Sequence, residues 1–434
     1  MPISRPSLLV LVALAGCGAA ALAEEVDSPL SADTPWAALR EGHPILALRP
    51  RFTGVEQDGR SEDARWGSLR TQLGWETLSW SGFKAVVEGI DVRRFADQGF
   101  LEYKDTPAYR QPAWPGWNAY GGFPGYNQSF YPLVADPEVT DVNRAYLEYA
   151  DHDTVVRAGR QVIRLDNQRF VGDYDFGQLP QLFNAVTVEN RSLRGWRLFY
   201  GYIARVRNPY GVQWGSSTNL VNLWYEPWDV LKLAGFAYFQ NQAKTGSVTG
   251  YTDNSNRIVG GRLWGALPVR SALKLRYTAE LAQQRNFAGG QADIDAPYRR
   301  LGAGLFADRW FVRADWERLG SPQGDYAFQT PLGSTAMFTG RVDIFATTPA
   351  FGLIDRRAGA GVTFGPVSLR LDYHNFRTDY HGLDLGWEWD AGLTWTITRS
   401  LSFSLDYGDY RAGEPGTSTQ DTRKVWATLA YALP

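Results

Sequence analysis

The segment from Asp384 to Tyr407 constrains the fold of this chain more than any other. From Leu385 every second residue is apolar, through Trp387, Trp389, Ala391, Leu393, Trp395 and Ile397, with Gly386, Glu388, Asp390, Thr394 and Thr396 between them. A period of two is the side-chain repeat of a β-strand. After Thr398-Arg399-Ser400 the alternation resumes, with Leu401, Phe403, Leu405 and Tyr407 set against Ser402, Ser404 and Asp406. The two halves form one hairpin with a single apolar side, and each strand is longer than the usual 5–6 residues. Strands of about 9–11 residues with aromatic ends and a polar alternate face fit a transmembrane barrel, where lipid replaces a partner sheet. The apolar face is expected to look outward.

Composition points the same way. A mean hydropathy of −0.32 argues against a helical membrane protein. Aromatic residues nevertheless make up 14%, with 17 Trp and 22 Tyr, which suits a wet lumen and aromatic girdles. The 434 residues allow one large barrel, and the net charge of −2 gives no reason to expect a nucleic-acid partner. Arg5, the apolar run from Leu8 to Ala15 and the small-residue site Ala21-Leu22-Ala23 read as a cleavable secretory signal over residues 1–23. The competing reading is lipidation at Cys17, the single cysteine, in Leu14-Ala15-Gly16-Cys17. With one cysteine no intramolecular disulfide forms.

Residues 24–44, broken by Pro29, Pro35 and Pro44, read as an N-terminal periplasmic arm, and 45–434 as the barrel. Val425, Ala427, Leu429, Tyr431 and Leu433 alternate like the last strand presented to the barrel assembly machinery, although the chain stops at Pro434 rather than on an aromatic residue. Tight breaks at Trp80-Ser81-Gly82, Asp151-His152-Asp153, Asn190 to Gly195, Glu226 to Asp229, Ala266 to Arg270, Ala307 to Arg309, Gly365-Pro366 and Ser400 alternate with longer polar links. Eight short turns between nine longer links imply an antiparallel up-and-down barrel of about 18 strands, with short periplasmic turns and long extracellular loops. The expected location is the outer membrane of a Gram-negative bacterium, as a monomer surrounded by lipid.

Phase then assigns side chains to the lumen, because Lys or Arg facing lipid at mid-depth costs about 2–4 kcal/mol. The inward bases are expected to include Arg49, Arg51, Arg70, Arg144, Arg157, Arg197, Arg205, Lys274, Arg276, Arg313 and Arg370, with Lys232 and Arg262 in the same phase. Inward acids, among them Glu280, Asp315, Asp372, Glu388 and Asp390, concentrate late in the chain. An unaccompanied arginine wall would suit a carboxylate-bearing solute, since guanidinium grips carboxylate bidentately. The alternative is that the charges pair with one another and merely satisfy a polar interior. The aromatic-rich link from Ala96 to Asp136 reads either as a lid that stacks on a solute or as packing at the mouth.

Residues 157–172 read RAGRQVIRLDNQRFVG, a strand end at Gly159-Arg160-Gln161 followed by Asp166-Asn167-Gln168-Arg169-Phe170. With Leu48-Arg49-Pro50-Arg51-Phe52 and the segment from Thr347 to Arg356, this resembles the alginate export family of outer-membrane proteins. The resemblance implies an eighteen-stranded monomeric barrel, a charged solute path, and a constriction around Arg160, Gln161, Asp166, Asn167, Arg169 and Phe170. Asp166 is expected either to pair with Arg160 or Arg169 and brace the mouth, or to contact cargo.

The function expected is passive passage of a polar, anionic saccharide or organic-acid solute, without cofactor or metal. The alternatives are a substrate-specific uptake porin for small organic acids, a barrel-embedded hydrolase, or a closed structural barrel. His374 is the one inward histidine by phase, and Ser368 stands about 20 Å along the strand from it. That spacing offers no nucleophile and base in contact.

Overall fold

The computed structural model describes residues 31–98, 131–134, 136–241, 253–414 and 419–434. The expected signal over residues 1–23, Cys17 included, and most of the link from Ala96 to Asp136 lie outside the described residues. The strands are β1 (His43–Gln57), β2 (Ala64–Glu76), β3 (Phe83–Gln98), β4 (Val139–Asp151), β5 (Thr154–Gln161) and β6 (Leu182–Asn190). They continue as β7 (Trp196–Arg207), β8 (Gln213–Trp228), β9 (Leu231–Gln240), β10 (Asn256–Arg270), β11 (Leu273–Asn286) and β12 (Asp295–Ala307). The last six are β13 (Trp310–Leu319), β14 (Leu353–Phe364), β15 (Val367–Arg377), β16 (Asp384–Thr396), β17 (Leu401–Ala412) and β18 (Thr422–Ala432).

Each strand pairs antiparallel with its sequence neighbours in one 18-stranded sheet, and β1 also pairs with β18 from Ala47↔Ala432 to Gln57↔Thr422. Closure leaves no strand edge unpaired, which is the condition for crossing hydrocarbon with strands. The expected count and order are present, and short and long links alternate from β3 to β6 and from β8 onward, while the link 58–63 matches 77–82 in length and 191–195 matches 208–212.

The outward phase is apolar and exposed around the wall, as at Leu73, Val87, Leu147, Leu198, Leu281, Leu301, Leu371, Leu405 and Leu429. Their neighbours along each strand face the lumen. In the hairpin of β16 and β17, Trp389, Trp395 and Tyr407 are exposed while Glu388 and Asp390 are buried. Leu385 departs from the alternation and is buried. The cause is Gly386, at φ +105°, where the ladder to β15 shifts register and a Cβ would sit 1.9 Å from the Arg411 carbonyl oxygen. A left-handed residue there reverses the phase above it.

Other corrections are local. β10 runs on through Arg270, so the expected turn at Ala266 to Arg270 moves to Ser271-Ala272. The arm contains a short helix α1 (Pro35–Arg40), capped by Thr34 Oγ1 accepting from Ala37 N–H at 3.1 Å. A Thr followed by Pro is a helix-start signal in sequence, so Pro35 begins this helix and does not act only as a break.

Candidate functional site

Two of the extracellular links do not stay outside. Residues 162–181, between β5 and β6, and 320–352, between β13 and β14, turn into the bore and pack there. Ile163, Leu165, Phe170, Val171 and Leu179 of the first, and Phe328, Leu332, Val342 and Phe345 of the second, are buried with lumen-facing strand residues. Phe170 lies against Phe236, Tyr298 and Phe328, with ring centroids 5.3, 4.9 and 5.6 Å apart. The loops also bond to each other, Gly172 N–H to Leu332 O at 2.8 Å and Ser334 N–H to Gln168 O at 3.0 Å. Burying aromatic surface this way offsets the entropy of ordering long loops.

Charged feet fix both loops to the wall. Arg169 and Glu317 are buried and bond bidentately, Nε to Oε1 and Nη2 to Oε2, each at 2.9 Å. Tyr298 donates to the same Glu317 oxygen, Oε1, at 2.6 Å. Asp166 accepts from Trp224 Nε1 at 2.6 Å and Asn222 Nδ2 at 2.8 Å, while Asn167 donates to Glu280 at 3.0 Å. Across the bore, Asp175 accepts from Arg70 at 2.9 Å and Arg49 at 3.3 Å. Burial alone would raise the Asp175 carboxyl, but Arg70 and Arg49 outweigh it and hold it below the usual carboxylate range. The second loop hangs from β16 and β18. Val342 N–H donates to Glu388 at 2.8 Å, Arg341 N–H to Asp390 at 3.1 Å, and Lys424 Nζ to Val342 O at 2.7 Å.

The segment Asp166-Asn167-Gln168-Arg169-Phe170 is therefore a strap. Asp166 pairs with neither Arg160 nor Arg169, which removes the first of the two expected roles, because its left-handed backbone (φ +52°) aims it at β8. Arg160 instead bonds Asn184, Asp141 and Gln213, each at 3.0 Å, and Gln161 bonds Ala185 O at 3.0 Å. Every one of the six expected constriction residues is engaged in holding protein to protein.

The arginine wall separates into two classes. Arg49, Arg51, Arg70, Arg144, Arg157, Arg313 and Arg370 each have a carboxylate within ion-pair distance. Their partners are Asp175, Asp136, Glu88, Glu148 and Asp372, so the early arginines are not unaccompanied. Asp136 and Asp175 come from loops, which phase counting along strands does not reach. Arg205 leaves the set, since a register shift between Ile203 and Arg205 makes it exposed and out of phase with buried Phe199 and Ile203.

The second class stacks on aromatic faces without an ion pair, whereas Arg51, Arg157 and Arg313 of the first both pair and lie over a ring. The Arg197 guanidinium lies 3.7 Å from the Trp224 ring centroid, Arg262 4.8 Å from Trp264, and Arg276 4.5 Å from Phe306. Phe306 itself stacks on Phe311 at 5.4 Å and 14°. Among the described residues no carboxylate lies within 4.0 Å of Arg197, Arg262, Arg276 or Lys274. A guanidinium laid flat on a ring keeps its in-plane N–H fork directed away from it. The signal for these pairs is present in the alternation, as Trp224 and Trp264 occupy lumen positions beside outward Leu223 and Leu263, although composition alone places aromatics in girdles or loops.

His374 is buried between carboxylates, Nδ1 2.8 Å from Asp355 and Nε2 3.7 Å from Asp390, with Phe376 stacked on it. Ser368 Oγ shares its hydrogen bond with Thr363 at 3.1 Å.

No family model matches the chain, and no curated protein matches it either. Solved structures do. OpdL of Pseudomonas aeruginosa superposes with a TM-score of 0.65 at 13% identity, covering 91% of this chain and 99% of that one. The barrel is built like the OccD and OccK channels. OccK9 (OpdG) of the same organism gives 0.66 at 11% identity, over 92% and 100% of the two chains. OpdK, solved with vanillate, gives 0.64 at 14%, over 90% and 98%. These neighbours are substrate-specific porins of the Gram-negative outer membrane, and the present chain is an outer-membrane barrel of that architecture. They replace the alginate export family suggested by the GRQ and DNQRF segments. The first of these segments ends β5 and the second makes the strap, and a loop folded into a barrel is not a device confined to one cargo.

Proposed function

We propose that the protein is a selective channel for small organic anions carrying a carboxylate, preferably on a flat ring. The observation that carries this reading is the pairing of ring-stacked arginines that form no ion pair, on the β7–β11 wall, with a bore narrowed by two anchored loops. The narrowing selects for size. The guanidinium forks supply charge-assisted bonds to a carboxylate, and the rings beneath them an apolar face for its carbon skeleton. The vanillate held by OpdK is a ligand of this chemistry, on a barrel of this shape. Because β1 closes on β18, one chain forms the whole wall, and we take the working unit to be a monomer.

Liposome swelling tests the reading. Proteoliposomes should swell faster in benzoate salts than in a neutral sugar of similar size. Rates ordered by size alone would refute charge selection, and absence of swelling in both would favour a closed structural barrel.

A further inference from the structure

The outer face carries charge of its own at the extracellular end of β10–β15. By alternation with buried Ile258, Gln284, Tyr298, Leu319, Asp355 and Phe376, the residues Arg257, Arg285, Arg299, Arg318, Arg356 and Arg377 all point away from the lumen. All are exposed except the half-buried Arg318. The register sets like charges side by side, with Arg257 directly opposite Arg285 and Arg299 directly opposite Arg318. Arg356 stands across from Trp316, and Arg377 across from Ile354, one step from Arg356 on the same face. Like charges opposed in a ladder destabilise a sheet.

Acids on this face compensate only part of the charge. Asp379 holds Arg318 at 2.5 and 3.0 Å, and Asp295 lies 3.4 Å from Arg285. Asp384 faces Arg377 across the ladder, but its carboxylate accepts from Gly386 N–H at 2.9 Å. Among the described residues Arg257, Arg299, Arg356 and Arg377 have no carboxylate within 4.0 Å. The opposite arc is built differently. There Arg423 meets Glu56 at 3.3 Å, Arg411 meets Asp409 and Asp421 at 2.9 Å each, and Arg93 meets Asp91 at 3.1 Å.

Depth identifies what stands opposite the uncompensated arc. Exposed Val259 and Leu301 follow Arg257 and Arg299 by two residues toward the periplasm, roughly 7 Å along a strand. Trp316 and Trp387 share the register row of Arg356 on the same outward phase, and Tyr373 and Trp389 follow one step farther toward the periplasm, 4.8 Å apart. An aromatic belt over an apolar band marks the headgroup level of a bilayer.

We propose that this arc seats the phosphorylated headgroup of a glycolipid in the outer leaflet, with Arg299, Arg356 and Arg377 gripping phosphate and Trp316 and its neighbours lying along the acyl chains. Guanidinium forks match phosphate oxygens bidentately, and the anion relieves the repulsion built into the register. The contact is independent of what crosses the lumen.

The experiment uses the full barrel in nanodiscs or mixed micelles. It compares retention of bisphosphorylated lipid A with that of the same lipid A stripped of phosphate, read by native mass spectrometry. The wild type should retain the phosphorylated lipid at least tenfold better. An R299Q/R356Q/R377Q variant should lose that preference while keeping wild-type conductance, which certifies a folded barrel. Equal retention of the two lipids by the wild type overturns the proposal, as does undiminished preference in the variant. Displacement of the lipid by inorganic phosphate at equal concentration overturns it too, in favour of a patch for free anions. Should the triple variant fail to insert, the wild-type comparison of the two lipids decides alone.

Discussion

Arg70 and Arg197 both face the bore and both were legible as inward by strand phase, yet they do different work. Arg70 donates to Asp175 at 2.9 Å and belongs to the foot of a loop. Arg197 lies on Trp224 with no carboxylate within 4.0 Å among the described residues. A guanidinium whose charge is answered by protein is committed to structure. One supported only by a ring remains available to a passing anion. Lumen arginines therefore cannot be counted as one selectivity filter, and each must be judged by what answers its charge.

The contrast is sharpest at Arg169, the most committed of the first kind. Arg169→Met leaves Glu317 buried without its partner and should cost about 3–5 kcal/mol, freeing the strap. Thermal unfolding should register the loss, and single-channel conductance should rise several-fold with more open-state noise. Next in size is the stacked set. Arg197→Gln, Arg262→Gln and Arg276→Gln together should lower preference for benzoate over potassium by roughly tenfold, the worth of one lost charge-assisted bond. The melting temperature should fall less than in Arg169→Met, since no ion pair is broken and the protein bond given up is that of Arg262 to Thr278 at 3.2 Å, opposite buried Glu280. Arg70→Gln should do the reverse on a smaller scale. Flicker should increase as the Asp175 foot loosens, with the permeability ratio intact.

The smallest effect is that of acid. Asp175 titrates below its ordinary value because Arg70 and Arg49 prevail over burial. A depressed folded value makes its contribution fully present above the unfolded value of about 3.9, and lost as pH falls through the folded one. Conductance noise from this foot should thus be flat from neutral pH to about 4 and increase only below it. An increase between pH 7 and 5 would locate the sensitive group elsewhere.

The strand count was legible because alternation and turn spacing are local properties, written into segments such as Leu401 to Tyr407. Phase errors arose where one backbone residue reversed the alternation, at Gly386 and at the Ile203–Arg205 bulge. The loops were the least legible. Nothing local in residues 162–181 tells that Asp166 will meet Trp224, 58 positions away, or that Arg169 will meet Glu317, 148 away. The family suggested by the short motifs failed for the same reason. Residues that brace a strap record how a loop is held and say little about what passes beside it.

The central claim is that stacked arginines select while paired ones only hold. It is tested most directly by the reversal potential across a planar bilayer in asymmetric potassium benzoate, measured for wild type, for the triple variant of Arg197, Arg262 and Arg276, and for Arg70→Gln. A benzoate-signed potential that collapses toward zero in the triple variant and survives in Arg70→Gln is the predicted result. A potassium-signed potential in the wild type, or equal shifts in the two variants, would contradict it.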